Sequence, residues 1–361
     1  MKKGFKLRLP VCTLMLLILS SCGNGKSNKN KADTAKEVEK SSIRVENKVS
    51  EQKVDVYFGD ELFTSYIYPD NIMKPCLWPI VTSEGTEITR KYPLKTVAGE
   101  RADHPHHIGM WMNYGDVNGI DYWGHSEATP EDRKAYSGVI RHQEVVEAKA
   151  DDAQGTIRVK TKWEAGGNTQ ITEDIEFHFM DKGKVRIIDW ISTLTAQEDI
   201  LFKDTKEGMF AIRVSRELEL PSDDPLTLTD AHGNPETIKV INNDVVSGDY
   251  LSSEGIVGED VWGTRAKWMK LFGKYEDEKV AVVILDHKKN PGYPAYWHAR
   301  GYGLFAVNPL GQNVFSDGKE SMNLSLKKGD SVRFAFRTLV CSGEISEEEI
   351  NDLGMEFLGL Y

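Results

Sequence analysis

The sequence predicts an all-β fold, a large antiparallel β sandwich with one short C-terminal helix. Three observations carry that prediction. Several segments alternate apolar and polar residues with period two, as half-buried antiparallel strands do. Two runs, Val185–Ile191 and Val280–Leu285, are apolar on both faces, as central strands between two layers are. Turn signals punctuate the strands at Gly166-Gly167-Asn168, Asp181-Lys182-Gly183, Asp317-Gly318 and Lys328-Gly329-Asp330.

The elements follow in chain order. Residues 1–21 read as a signal segment. Lys2, Lys3, Lys6 and Arg8 precede an apolar stretch from Val11 to Leu19, too short for an ordinary transmembrane helix. Leu19-Ser20-Ser21-Cys22 resembles a bacterial lipobox, which makes Cys22 the expected lipidation site. No acidic cluster follows Cys22, so the expected location is the cell envelope with a periplasm-facing anchor. Residues 22–52 are rich in Lys, Ser, Asn and Glu, with almost no large apolar residues, and read as a flexible tether. Residues 53–361 contain no Pro/Gly/Ser linker and read as one sandwich domain.

Within that domain Ile157, Val159, Thr161 and Trp163 alternate with Arg158, Lys160 and Lys162. Ile171, Ile175, Phe177 and Phe179 oppose Thr172, Asp174, Glu176 and His178. Val332, Phe334, Phe336, Thr338 and Val340 oppose Arg333, Ala335 and Arg337. At the C-terminus Ser346 and Glu349 form a capping box, flanked by Ile345 and Ile350 as a hydrophobic staple. The helix they start runs through Leu353 and ends near Gly354 or Gly359.

Composition narrows function. The 361 residues carry 45 Lys and Arg against 56 Asp and Glu, a formal net charge of −11. A nucleic-acid binder driven by phosphate contacts is normally basic, so no nucleic-acid partner is expected. Removal of the signal takes four positive charges and none of the opposite sign. The mature charge is then 41 − 56 = −15. Such a chain is repelled by anionic lipid, which leaves the Cys22 lipid as the membrane contact. A mean hydropathy of −0.44 excludes a polytopic membrane protein. Four Cys are too few for a disulfide scaffold. Cys76 and Cys341 read as separately buried thiols, with a pair as the alternative.

Three segments concentrate polar and aromatic residues. The first, 103–123, holds His104, His106 and His107 with Trp111, Asp116, Asn118, Asp121 and Trp123. Imidazole titrates near neutral pH and also ligates metals. The second, 202–208, holds Lys206 and Glu207 between two strand-like runs, where a Glu beside a Lys makes a general-base candidate. The third, 291–303, holds His298, Arg300 and Tyr302 among aromatic rings. Rings that cover C–H faces beside groups that bond hydroxyls are what a sugar site needs. No nucleophile elbow, metalloprotease helix, Cys2His2 spacing or dinucleotide glycine pattern is present.

HPHHIGMWMNYGDVNGIDYW, FKDTKEGMFAIRV and YWHARGYGLFAVNPLG together resemble the family labelled methane oxygenase PmoA-like, over roughly residues 54–340. Its members are secreted or lipid-anchored proteins of unassigned biochemistry. The chain has no spanning helix after its signal, so methane oxidation in a membrane subunit is not what the resemblance implies. A second, fold-level resemblance is to the galactose-mutarotase-like β supersandwich. His104, His107, Gly119-Ile120-Asp121 and Trp123 are similar in order to the motif of those aldose epimerases, which use a His general acid and a Glu general base. The resemblance makes His107 and Glu207 the closest counterparts; the remaining residues depart from the pattern in order and spacing.

Two functions follow as expectations. One is acid–base catalysis on a carbohydrate, of epimerase, lyase or hydrolase type, by His104 or His107 with Glu207. Trp111, Asp116, Asn118, Asp121, Trp123, Lys206, His298, Arg300 and Tyr302 would contact a saccharide or polysaccharide fragment. The other is a non-catalytic carbohydrate-binding lipoprotein. No cofactor is expected; a metal held by His104, His106 and His107, with Glu207 as a further ligand, is the minor alternative.

Overall fold

Sixteen of the twenty strands among the described residues form two antiparallel sheets of eight, and the other four form two small two-stranded sheets. The structure, a computed structural model, describes residues 42–239 and 242–361. The signal segment, Cys22 and the tether up to residue 41 lie outside the described residues. The described residues fall in one unit, Glu39–Tyr361.

The first sheet has the order Ile43–Lys48, Lys53–Phe58, Glu61–Ile67, Cys76–Ile80, Met110–Tyr114, Gly208–Arg213, Leu304–Asn308 and Tyr296–Arg300. The second runs Asp249–Ser252, Trp268–Tyr275, Glu278–Asp286, Ser331–Ser342, Val185–Ala196, Asn168–Asp181, Gly155–Ala165 and Val139–Ala150. Glu278–Asp286 and Val185–Ala196, which contain the two-sided apolar runs, are inner strands either side of Ser331–Ser342. The hairpin between Gly155–Ala165 and Asn168–Asp181 turns at Gly166 and Gly167. Their φ of 56° and 81° are cheap for glycine, and a two-residue turn with both angles positive matches the strand twist.

The sheets pack face to face. Trp190 meets Phe210 edge-on at 5.4 Å, Phe210 stacks on Phe336 at 4.8 Å, and Phe63 meets Phe179 at 6.3 Å. Each pair joins one sheet to the other, so this contact is the main core. One buried carboxylate interrupts it. Glu173 accepts hydrogen bonds from Thr161 at 2.7 Å and Trp163 Nε1 at 2.9 Å, and from Ser192. Its partners all lie on the same sheet, so it is satisfied where it sits.

The helix Glu347–Leu358 covers part of the outer face of the second sheet. Both halves of the capping box form, and Gly359 is the C-cap. Gly354 lies within the helix rather than ending it. A Cβ there would sit 3.0 Å from Leu285, so the missing side chain lets the helix approach the sheet. Beneath it the Arg337 guanidinium pairs with Asp189 at 2.6 and 2.8 Å.

One boundary differs from the sequence reading. Ile43–Lys48, assigned above to the tether, is an edge strand paired with Lys53–Phe58 from Ile43↔Phe58 to Lys48↔Lys53. Its polar composition hid it, because an edge strand needs only Ile43 and Val45 against the core. Cys76 and Cys341 are buried free thiols.

Candidate functional site

The three polar–aromatic segments meet because their strands are neighbours. Met110–Tyr114 pairs with Gly208–Arg213, which pairs with Leu304–Asn308, which pairs with Tyr296–Arg300. The register places Trp111, Ala211, Ala306 and His298 in one row across the sheet. Side chains alternate between faces, so Met110, Met112, Phe210 and Phe305 enter the main core while this row faces outward. The two alanines make a low floor between Trp111 and His298.

The loop carrying the histidines is held by one arginine. Arg90 is 1% exposed and donates to the carbonyls of Arg101, Asp103, His104 and His107 at 2.7–3.1 Å. It also pairs with Asp103 Oδ1 at 2.8 Å. His104 adopts a left-handed backbone with φ of 42°, uncommon outside glycine, and the Arg90 contacts fix it there. At the strand entry Gly109, with φ of 53°, passes against the Leu77 carbonyl, where a Cβ would collide.

On this support the rings form a column. His104 stacks on Tyr302 at 5.1 Å and on His107 at 4.9 Å, both within 3° of parallel. His107 continues the column to Trp111 at 5.4 Å. Partner chemistry fixes opposite tautomers in the two imidazoles. Arg213 only donates, so His107 Nδ1, 3.1 Å from it, is the acceptor and the proton sits on Nε2. The ionised Asp103 only accepts, so in the neutral ring His104 Nδ1, 3.3 Å from Oδ2, carries the proton and Nε2 carries the lone pair. Burial tends to raise the Asp103 pKa. Arg213 at 2.6 Å, the His104 contact and Arg90 outweigh burial and hold the carboxyl well below its usual range.

His104 is exposed and His107 is 2% exposed. Burial, then the charges of His106 and Arg213, hold His107 neutral, far below the ordinary imidazole value. Both imidazoles are candidates from the sequence, with His107 favoured by the resemblance; the structure leaves His104 free to meet solvent and locks His107 as a wall.

The second segment is fixed by other strands. Asp204 accepts from the amides of Asn313, Met322 and Asn323, and Asn308 Nδ2 donates to the carbonyls of Thr205 and Lys206. This sets Lys206 and Glu207, which pair with each other, beside His298 and Tyr302. Burial lowers the His298 pKa to about 4, against an opposing pull from the Glu207 carboxylate. Arg300 is exposed and lies 5.9 Å from the Tyr302 ring. His104, Lys206, Glu207, Arg300 and Tyr302 thus form the accessible rim, and His107, Trp111, Trp123 and His298 lie beneath it.

Five residues expected to touch a ligand are engaged otherwise. Trp111 and Trp123 are 0% and 1% exposed, so neither offers an open face to a sugar. They pack on each other at 5.3 Å as support. Asp116 caps a turn through Gly119 N. Asn118 bonds the backbone of Leu201 and Asp199, joining its turn to the next segment. Asp121 Oδ1 accepts from Trp123 N and Gly124 N, again a turn. Among the described residues no group of three His, Cys, Asp or Glu side chains is placed to hold a metal ion. The three loop histidines pack ring on ring or ring on edge instead.

Sequence reasoning missed Asp103, Arg90, Arg213 and Glu219. Arg213 is fully buried, pairs with Asp103 and lies 3.9 Å from Glu219. Arg101 pairs with Glu219 at 3.0 Å. A signal existed for Arg213, which ends the strand in the second segment, and for Asp103, which adjoins His104. Arg90 lies in unpatterned sequence and gave none.

Two clefts have His106 in their lining. One, of about 480 Å³, is lined by Lys74, Trp78, Tyr92 and His125 among others. The other, of about 400 Å³, is lined by Asp121, Arg133 and Tyr136 among others.

The model of a family of unknown function, DUF6807, matches residues 53–354, and the chain belongs to that family. The PmoA-like designation suggested by the sequence is not part of this match. No curated protein matches significantly. Among solved structures, a GH36 α-galactosidase from Geobacillus stearothermophilus is similar at a TM-score of 0.40 and 11% identity, over 83% of this chain and 41% of that one. This chain therefore spans about two fifths of that enzyme's length. A galactose mutarotase-like protein from Clostridium acetobutylicum is similar at 0.39 and 10%, over 84% and 99%. A putative aldose 1-epimerase from Escherichia coli K12 is similar at 0.30 and 9%, over 83% and 99%. These likenesses concern the fold alone.

Proposed function

We propose that this member of the DUF6807 family acts on a carbohydrate by acid–base catalysis at the outer face of its first sheet. The observation that carries the reading is His104, an exposed imidazole on a rigid stack. Its Nδ1 lies 3.3 Å from the ionised Asp103, so in the neutral ring Nε2 carries the lone pair and serves as the base. A base oriented by a carboxylate is the arrangement proton transfer needs. Glu207 supplies the second carboxyl group of the rim. Lys206 and Arg300 donate to hydroxyls or to a developing oxyanion, and Tyr302 offers a ring edge. The reaction is of epimerase, lyase or hydrolase type, since each moves a proton at or next to a sugar carbon or oxygen. A ring-platform binder without catalysis is disfavoured by the burial of Trp111 and Trp123.

The test is a panel of aldoses, uronates and glycosides followed by proton NMR, with and without EDTA, for anomer exchange or new products. Turnover of at least one class, unchanged by EDTA, is the expected result. A panel in which no sugar is turned over overturns the reading.

The same proposal places the chain in the cell envelope, periplasm-facing, anchored by an acylated Cys22, as the ordered basic, apolar and Leu-Ser-Ser-Cys segments suggest. Membrane fractionation that shifts to the soluble pool in Cys22→Ala supports it; wild type in the soluble pool overturns it. The PmoA-like kinship is retained as a proposal about ancestry, without methane oxidation.

A further inference from the structure

Lys74 is 1% exposed, yet an ammonium has three donors to satisfy. One goes to the His106 carbonyl at 2.6 Å. The Trp111 ring lies 5.3 Å away and takes part of the charge. Among the described residues no carboxylate forms an ion pair with it. Asp121, whose charge it feels, has one oxygen committed to Trp123 N and Gly124 N. Cys76, its other neighbour, is pushed by burial to about 12 and is a neutral thiol. A buried cation without an anion is costly, and burial accordingly pulls the Lys74 pKa down to about 8.

This group lines, with His106, the cleft of about 480 Å³, within the ordinary range for small-ligand sites. Two half-buried rings, Trp78 and Tyr92, line it too. Trp78 is fixed by its Nε1 bond to the Arg90 carbonyl at 3.2 Å, and Arg90 lies over Tyr92 at 5.4 Å. His125 Nδ1 donates to the Gly138 carbonyl at 2.9 Å, which leaves Nε2 as an acceptor for a hydroxyl. Glu127, the carboxylate of the lining, is exposed at the rim.

We propose that this cleft takes a carboxylate-bearing sugar, its rings against Trp78 and Tyr92 and its carboxylate paired with the Lys74 ammonium. The sugar half rests on the carbohydrate reading above; the carboxylate half does not. Because the cleft adjoins His104 through His106, at 5.6 Å between rings, it would hold an acidic residue of the same substrate next to the proposed base.

The experiment is calorimetric titration of the full chain with galacturonate, its methyl ester and acetate, repeated with Lys74→Met. The ester keeps the ring and removes the charge, so wild type alone tests the idea should Lys74→Met fail to fold. Galacturonate is expected to bind about 10- to 100-fold more tightly than the ester, the worth of one charged hydrogen-bonded contact, and Lys74→Met to erase the difference. Equal binding of acid and ester overturns the carboxylate pairing while carbohydrate binding stands. Acetate binding lost in Lys74→Met, with neither sugar bound, keeps the pairing and overturns the carbohydrate reading. Absence of binding by all three overturns the proposal.

Discussion

The two sheets are built from the same antiparallel alternation and put it to opposite uses. On the second sheet, the uncovered outer face is a solvated ladder of charges. Arg158 approaches Glu176 with side chains 52% and 37% exposed, and Lys160 approaches Glu144 at 51% and 58%. On the first, the outer face is sealed: Trp111, Arg213 and His298 are 0%, 0% and 4% exposed beneath loops. A solvated face tolerates change, because water replaces any lost partner. A sealed polar face does not, because each donor and acceptor there depends on a protein partner. In the function proposed above, one sheet thus serves as scaffold and the other carries the chemistry.

The largest expected effect tests whether the sealed face serves an exposed one. His104→Gln should lower turnover about 10²- to 10⁴-fold with the melting temperature unchanged, since His104 reaches solvent. His107→Gln should chiefly lower the melting temperature, because the ring is buried and holds Arg213. The reverse pattern would exchange the roles of base and wall.

Next in size is the contrast between arginines. Arg213→Met leaves His107 Nδ1 unpartnered and removes one ion pair from Asp103, and should cost about 3 kcal/mol by urea unfolding. Arg158→Met, on the solvated face, should cost under about 1 kcal/mol. Equal costs would mean that the sealed network is no more demanding than a surface pair.

A smaller effect comes from pH. Burial pushes Glu219 up to about 7, outweighing the pull of Arg101 and Arg213. Its folded pKa lies above the unfolded one, so its stabilising share is full below about 4.5 and is lost as pH rises through 7. Glu219→Gln should remove that dependence, a difference of roughly 1–3 kcal/mol between pH 5 and pH 8 in paired unfolding curves. The comparison with wild type isolates it from His298. That group, lowered to about 4, acts in the opposite sense: its share is lost as pH falls below about 6.5. Parallel curves for variant and wild type would show that Glu219 is ionised in the fold.

The same contrast explains what could be read from sequence. In the second sheet Ile157, Val159 and Trp163 alternate with charges because one face meets water, so period two is visible over strands of 11–14 residues. In the first sheet Met110–Tyr114 and Leu304–Asn308 are five residues long and buried on both faces, which leaves no alternation to detect. The site segments stood out by their chemistry, but their roles did not. Burial of Trp111 and Trp123 comes from loops packed over the sheet. The turn duties of Asp116, Asn118 and Asp121 depend on backbone direction. Arg90 binds four carbonyls spread over residues 101–107, a task written in three dimensions only.

The smallest effect belongs to the most legible element. Ser346 accepts from Glu349 N at 3.2 Å, and Glu349 Oε2 accepts from Ser346 N at 3.0 Å, which satisfies two of the donors the helix start leaves open. Ser346→Ala removes one of these bonds at an exposed position, where water takes part of its place, so a loss of about 1 kcal/mol is expected. The helix itself survives on its apolar side: Ile345, Ile350 and Phe357 are 4%, 0% and 0% exposed against the second sheet. Turnover should not change, because the helix packs on the sheet opposite the histidine column. If Ser346→Ala lowers turnover while the stability loss stays near 1 kcal/mol, the division into a scaffold sheet and a chemical sheet is too sharp. The Arg337–Asp189 pair beneath the helix would then be the first place to seek a link between them.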